Sequence, residues 1–228
     1  MHFFNMKVSI IIPVLNEAEH IADTLISLAS YRNQGHEVIV IDGGSNDDTV
    51  SISEQYSDKV LSSDSGRAIQ MNSGIAEAKG DVLLFLHADT RLPDDAPGVI
   101  IAAVEEGCFW GRFNVRLSGS HFLFRIIERM MNIRSCITGV ATGDQAIFVS
   151  QESIDIIGDY PRLPLMEDVV FSKRLRSLGW PACIRRQVIT SSRRWEDRGV
   201  LSTVLLMWRL RLLFFLGMPA EKLAKQYQ

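Results

Sequence analysis

Cysteine is scarce. Three residues in 228, at 108, 136 and 183, are too few and too scattered for a zinc pattern or a disulfide framework. The simple reading is a chain kept in a reducing compartment, the cytoplasm. The N-terminus, Met1-His2-Phe3-Phe4-Asn5-Met6-Lys7, lacks the basic and long apolar regions of a signal peptide. The apolar stretch at residues 200–216 is short of the ~20 residues a spanning helix needs, and Arg209 and Arg211 interrupt it. Repeats, low-complexity tracts and Ser/Gly-rich linkers are missing, so residues 1–228 read as one domain. The first apolar run is not followed by G-x-G-x-x-G, so a dinucleotide is not expected. The net charge of −3 says nothing by itself, and no nucleic-acid partner is expected.

What is present is an ordinary globular composition, 46% hydrophobic and 22% charged, enough for a sizeable core. The charge is unevenly placed. Residues 1–100 carry 6 basic and 15 acidic side chains, and residues 101–228 carry 18 and 12. That asymmetry fits metal-holding carboxylates on one side of a site and cations for a phosphate or an anionic surface on the other. The alternative is chance clustering on solvated faces.

Short apolar runs alternate with helical patterns over residues 7–90. Strands are expected at Val8–Pro13, Glu37–Asp42, Lys59–Leu61 and from Val82 towards Asp89. Helices are expected after Asn16, with Ile21, Leu25 and Leu28 on one face, from Asp47 through Tyr56, and over Gly66–Ala78 with Ala68, Met71 and Ile75 inward. This order implies right-handed βαβ units and a mostly parallel central sheet flanked by helices, a Rossmann-like α/β fold. The second half is less regular. Helices are expected at Pro97–Glu106, Leu165–Leu178 and Val200–Leu216, and strands at Gly111–Leu117, Ala146–Val149 and Cys183–Ile189.

Polar residues follow four of the strands: Pro13-Val14-Leu15-Asn16-Glu17, Asp42-Gly43-Gly44-Ser45-Asn46-Asp47, Ser65-Gly66-Arg67-Ala68 and His87-Ala88-Asp89-Thr90. Open α/β sheets bind ligands at the carboxyl ends of their strands. Asp89 is the first carboxylate after its apolar run, and a carboxylate there can hold a divalent cation that in turn holds a diphosphate. Each segment alone is an ordinary turn or cap. Together they make a crevice suited to a base, a ribose and a diphosphate.

These segments, with the later Glu167-Asp168, resemble a family 2 glycosyltransferase of the A-type fold over roughly residues 7–195. The resemblance implies a nucleotide-binding half at 7–90, an acceptor and catalytic half at 91–198, and an apolar C-terminal helix at 199–217. Pro13, Asn16 and Glu17 would line the nucleoside, Asp42 would hydrogen-bond the base beside Gly44, and Arg67 would approach the base or the phosphates. The family's acidic motif usually reads Asp-x-Asp. Here His87 takes the first position, and Asp89 alone keeps the metal-ligand role. Glu167-Asp168 would otherwise be two acids favoured at a helix start. By resemblance Asp168 is the base that takes the acceptor's proton, with Glu167 as the alternative. Asp144 and Gln145 would bond sugar or acceptor hydroxyls. In Thr190-Ser191-Ser192-Arg193-Arg194-Trp195, read as extended, either Arg193 or Arg194 would face the diphosphate.

The implied activity is inverting transfer of a sugar from a nucleoside-diphosphate sugar, UDP favoured, to a hydroxyl or carboxyl acceptor. The cofactor would be Mn2+ or Mg2+, and the acceptor would include lipids or carotenoids. The rivals are a nucleotidyltransferase and a non-catalytic nucleotide-binding regulator. The first would begin with a glycine-rich, lysine-bearing loop, which Pro13–Glu17 is not. Residues 122–131 and 200–216 are apolar but carry arginines. They fit helices lying peripherally on the inner face of the membrane, or helices buried against the sheet or a second copy of the chain.

Overall fold

The computed structural model describes residues 6–227. The N-terminal residues 1–5, on which much of the signal-peptide reading rested, lie outside the described residues. The strands are β1 (Val8–Val14), β2 (Glu37–Asp42), β3 (Lys59–Ser62), β4 (Val82–Phe85), β5 (Thr90–Arg91), β6 (Trp110–Leu117), β7 (Phe148–Ser150) and β8 (Ala182–Thr190). The helices are α1 (Ala18–Ser27), α2 (Ala29–Asn33), α3 (Thr49–Tyr56), α4 (Arg67–Glu77), α5 (Ala96–Glu105), α6 (Phe122–Thr138), α7 (Gln151–Ile157), α8 (Glu167–Leu175), α9 (Arg193–Arg198), α10 (Val200–Phe215) and α11 (Ala220–Tyr227).

One sheet crosses the molecule in the order β3-β2-β1-β4-β7-β6-β8-β5. Its first half is parallel, because β1, β2, β3 and β4 are joined by helical crossovers. The β-branched run of β1 serves both faces. Val8, Ile10, Ile12 and Val14 enter one core, and Ile11 enters the other. Fully burying such a side chain contributes about 1.5–3 kcal/mol. The order in which strands are added to the sheet reverses between the parallel β1 and β4, leaving a crevice at their carboxyl ends. The second half is mixed: β7 is antiparallel to β4 and β6, β8 is parallel to β6, and β5 is antiparallel to β8.

Several expectations need correction. β4 stops at Phe85 rather than running towards Asp89, because the chain turns at His87, whose carbonyl accepts from Thr90 N at 3.1 Å. Asn16 is no helix cap. It sits at φ +54°, and its side chain accepts from Asn46 N instead. α8 is shorter than expected and starts only at Glu167, because Met166 at φ +66° cannot belong to a right-handed helix. Arg193 and Arg194 open a helix rather than an extended segment. The short elements β5, α7 and α11 were not expected. Cys136 and Cys183 form a disulfide between α6 and β8. Its half-cystines are 47 residues apart on different elements, so spacing could not reveal the pair.

Among the described residues no helix is long and apolar enough to cross a membrane. The two apolar segments are helices with divided faces. On α6, Phe122, Ile126, Met130, Ile133 and Ile137 stand in one exposed row, and on α10 so do Leu201, Leu205, Trp208, Leu212 and Phe215. Leu210 turns the other way, into a small satellite core with Leu165, Met166 and Leu223. That core docks α10 and α11 against the segment entering α8.

Candidate active site

The loops after β1 and β2 are stitched together. Asn16 N donates to Ser45 Oγ at 2.8 Å, Glu17 N to Thr49 Oγ1 at 2.8 Å, and Gly43 N to Val14 O at 2.9 Å. From α4, the buried Gln70 amide donates to Val14 O and Ile41 O, both at 2.8 Å, and so ties the ends of β1 and β2. Asp42 holds its own turn: its carboxylate accepts from Gly44 N at 3.0 Å and from Ser45 Oγ at 2.5 Å. Gly44 lies at φ +95°, where a side chain would be strained. The result is a rigid rim around the space beside β1.

Beyond that rim opens a cavity of about 560 Å³. Its polar wall includes Arg67, His87, Asp89, Asp144, Glu167, Asp168 and Arg194. Asp89, Asp168 and Glu167 come from distant parts of the chain yet face one space. Asp42 does not line it, and neither do Pro13, Asn16, Glu17, Gly44 or Arg193. Asp42 lies on the rim beside the cavity, and its carboxylate accepts from Gly44 N, Ser45 N and Ser45 Oγ of the turn it closes. Arg193 faces away, with Nη1 2.7 Å from His20 Nε2 and Nη2 4.0 Å from the Glu17 carboxylate. Burial and the neighbouring Asp89 charge push the Glu17 carboxyl up, against the pull of Arg193. Arg194 is the arginine on the cavity. It lies 3.5 Å over the Tyr227 ring and donates to Tyr227 O at 2.9 Å.

The acidic pair is held by backbone. Met166, strained at φ +66°, swings the start of α8 so that Glu167 and Asp168 enter the cavity together. Asp168 accepts from Gly143 N at 3.1 Å and Val169 N at 2.7 Å. Burial pushes its carboxyl above the usual range, and these two N–H groups offset only part of that rise. Glu167 is buried, 3.5 Å from Arg67, and its carboxyl is also raised by burial and by the Asp168 charge. A carboxylate whose proton affinity is raised by its surroundings is suited to accept a proton.

Gly143 makes room for His87. A side chain at Gly143 would begin 2.5 Å from His87 Nε2. Burial, with Arg67 nearby, depresses the His87 imidazole to about 3, so it is neutral. Nε2 has no hydrogen-bond partner among the described residues. Neither does Asp144 Oδ1, in a carboxyl that burial pushes up.

Among the described residues no three His, Cys, Asp or Glu side chains cluster tightly enough to hold a metal by themselves. Asp89 is half-buried on the cavity wall, with one weak side-chain contact, from Thr90 Oγ1 at 3.4 Å. A single carboxylate with oxygens free is a protein donor set that Mg2+ or Mn2+ uses when substrate phosphates complete its shell. The residues fit such an ion.

The apolar wall was not foreseen as part of the site. Ile127, Met130 and Met131 from α6 face Val204, Met207 and Trp208 from α10. Arg134 and Arg211 also reach this space; the sequence assigned Arg134 no role and read Arg211 as an arginine of an interfacial helix. The signal was there in principle: each follows an apolar pair by one helical turn.

This sheet order and crevice are those of the glycosyltransferase A-type fold. Solved structures with the same fold include the mannosyltransferase PcManGT from Pyrobaculum calidifontis in complex with GDP-Man and Mn2+. It matches with a TM-score of 0.64 at 18% identity, over 92% of this chain and 61% of that one. S. aureus TarS 1-349 in complex with UDP-GlcNAc matches with a TM-score of 0.60 at 20% identity, over 81% of this chain and 56% of that one. The model of the family Glycosyl transferase family 2 matches residues 9–150, and the chain belongs to that family. The poly-beta-1,6-N-acetyl-D-glucosamine synthase of Staphylococcus epidermidis is 33% identical over 100 residues, 41% of this chain and 24% of that protein. The matched stretch thus spans about a quarter of that relative's length.

Proposed function

We propose that the protein transfers a sugar, with inversion, from a nucleoside-diphosphate sugar to an acceptor hydroxyl, and that UDP is the nucleotide. One observation carries this reading: Asp89, Arg67, Arg194 and Asp168 line a single cavity beside the stitched loops of β1 and β2. The neighbours support the donor class, since TarS was solved with UDP-GlcNAc and PcManGT with GDP-Man.

In this reading Glu17 and the loop before it flank the nucleoside, and the Asp42 turn fixes that loop rather than contacting the base directly. Arg194 supplies permanent charge to the leaving diphosphate, and Arg67 does the same from the start of α4. Asp89 would hold the divalent cation, whose chemistry there is to neutralise charge on the diphosphate. Asp168 takes the proton from the acceptor hydroxyl as that oxygen bonds to the anomeric carbon. The bond from that carbon to the diphosphate oxygen breaks with its electron pair, so the diphosphate leaves. Glu167 orients Arg67 through their ion pair. A non-catalytic nucleotide binder would have no use for both Asp89 and a proton-accepting Asp168 on one cavity.

The exposed rows of α6 and α10 extend from the two walls of this cavity. We read them as seating the protein on an anionic membrane surface, with Arg129 and Arg209, both exposed, reaching headgroups. Vesicles of anionic lipid should sediment the protein, and neutral vesicles should do so much less. Equal recovery in the supernatant from both would remove the membrane from this reading.

The donor reading is tested by thermal shift. UDP with Mn2+ should raise the melting temperature more than UDP or Mn2+ alone, and purified protein should slowly hydrolyse a UDP-sugar. No stabilisation by any nucleoside diphosphate, with either cation, would sink it.

A further inference from the structure

The four arginines on the cavity are not equivalent. Arg67 pairs with Glu167 at 3.5 Å, and Arg194 is fixed on Tyr227. Arg134 from α6 and Arg211 from α10 are different. Arg134 Nη2 and Arg211 Nε are buried and have no hydrogen-bond partner among the described residues. Neither guanidinium forms an ion pair there.

Their setting is apolar and repeats itself. Arg134 stands one turn after Met130 and Met131, and Arg211 one turn after Met207 and Trp208, so each cation continues an apolar face lining the cavity. The nearby acids do not satisfy them. Asp168 has both oxygens engaged by Gly143 N and Val169 N. Asp144 acts on Arg134 only through its field, and its Oδ1 is itself unpartnered. Buried guanidinium nitrogens without acceptors are costly, and proteins keep them where a ligand brings the oxygens. The planar fork of arginine matches a carboxylate or a phosphate.

We infer that the cavity binds an amphipathic anion as acceptor: a hydrocarbon body between the Met-lined faces of α6 and α10, and a phosphate or carboxylate head on Arg134 and Arg211. The inference rests on the transferase reading for the word acceptor, but the binding itself does not need turnover. It also gives the cavity's charges a division of labour. Arg67 and Arg194 serve the donor, and Arg134 and Arg211 serve the second substrate.

The test uses the full-length protein with decyl phosphate, decanoate and decanol, each below its micelle concentration, in the presence of UDP and Mn2+. Trp195 and Trp208 line the cavity, so tryptophan fluorescence reports occupancy. Both anions should bind saturably and at least about tenfold tighter than decanol. Arg134→Gln and Arg211→Gln should each weaken the anions by about tenfold or more and leave decanol and UDP affinity within about twofold. Arg134→Lys and Arg211→Lys, which keep the charge, should fall between. The stronger of the two anions identifies the head group. Decanol binding as tightly as the anions, or Gln variants that hold the anions like the parent chain, would overturn the inference. So would Gln variants that lose UDP, because the arginines would then serve the diphosphate. If UDP fails to bind in any condition while the anions still discriminate between the variants, the donor reading fails and the anion site stands.

Discussion

The stitched rim beside the cavity and the cavity's own wall treat their polar groups in opposite ways. On the β1–β2 side nearly every polar group answers another: Asp42 closes its own turn, Gln70 ties two strand ends, and Asn16 bonds Asn46. On the cavity wall, Arg134, Arg211, Asp144 and His87 keep buried atoms unanswered. The lesson is physical. A rim whose hydrogen bonds are internally satisfied is rigid before a nucleotide arrives, whereas unanswered groups in an apolar pocket select what enters. In the proposed reading the satisfied rim serves the donor and the unanswered groups serve the acceptor.

The comparison can be broken at its centre first. Asp168→Asn keeps the size of the side chain but removes the proton acceptor. Sugar-nucleotide turnover should fall by about 10²–10⁴-fold with UDP affinity unchanged, measured by product release and calorimetry. A smaller loss would shift the base to Glu167. Because burial raises the Asp168 carboxyl, it stays protonated to a higher pH than an ordinary aspartate and is an active base only above its raised pKa. Turnover should therefore climb with pH on a limb displaced upward from the usual aspartate range.

A second break concerns the cation. For UDP with Mn2+ at about 100-fold over its dissociation constant, the melting temperature should rise by roughly 5–10 °C. Asp89→Asn should lose most of the Mn2+-dependent part of that rise and keep the smaller rise with UDP alone. An unchanged response would take Asp89 out of the site.

A smaller effect is expected at the junction of the two sides. Gly143→Ala would place a methyl 2.5 Å from His87 Nε2. The clash should cost ~1–3 kcal/mol of stability by denaturant titration, and it should slow turnover by displacing the N–H that holds Asp168. Parent-like values for both would mean that the His87 loop yields.

The smallest effect lies on the rigid side, away from the cavity. Burial alone would raise the Glu37 carboxyl. Hydrogen bonds from Ser9 Oγ and Lys79 N, with the Lys7 charge, outweigh it and hold Glu37 below the usual glutamate range. A depressed carboxylate contributes stability above its unfolded pKa and loses it as pH falls through the folded one. Glu37→Gln should cost about 1–3 kcal/mol near neutrality and almost nothing once the pH is below the depressed pKa. A cost independent of pH would show that packing, not charge, is what the variant loses.

Much of the parallel half was legible in the chain. β1, β2 and β3 fell where apolar runs and turn residues put them, and Ala68, Met71 and Ile75 turned inward as their spacing required. The pattern works there because each strand is buried on both faces and each crossover is short. It fails where partners are distant. Cys136 with Cys183, Thr90 with Thr190, and Arg194 with Tyr227 meet only because the chain returns.

The sequence alone determined the strand and helix periods of the first half, the acidic turn at Asp89, the acidic pair at Glu167-Asp168 and the family to which they point. Local physics governs all of these, since side-chain spacing and turn chemistry act over a few residues. Only the tertiary structure decided which carboxylates share a cavity, which of two adjacent arginines faces it, and that two apolar helices bring unpaired arginines to the cavity that Asp168 lines. Those outcomes depend on strand order and helix rotation, which are set by the packing of the whole chain and leave no mark in any short stretch of it.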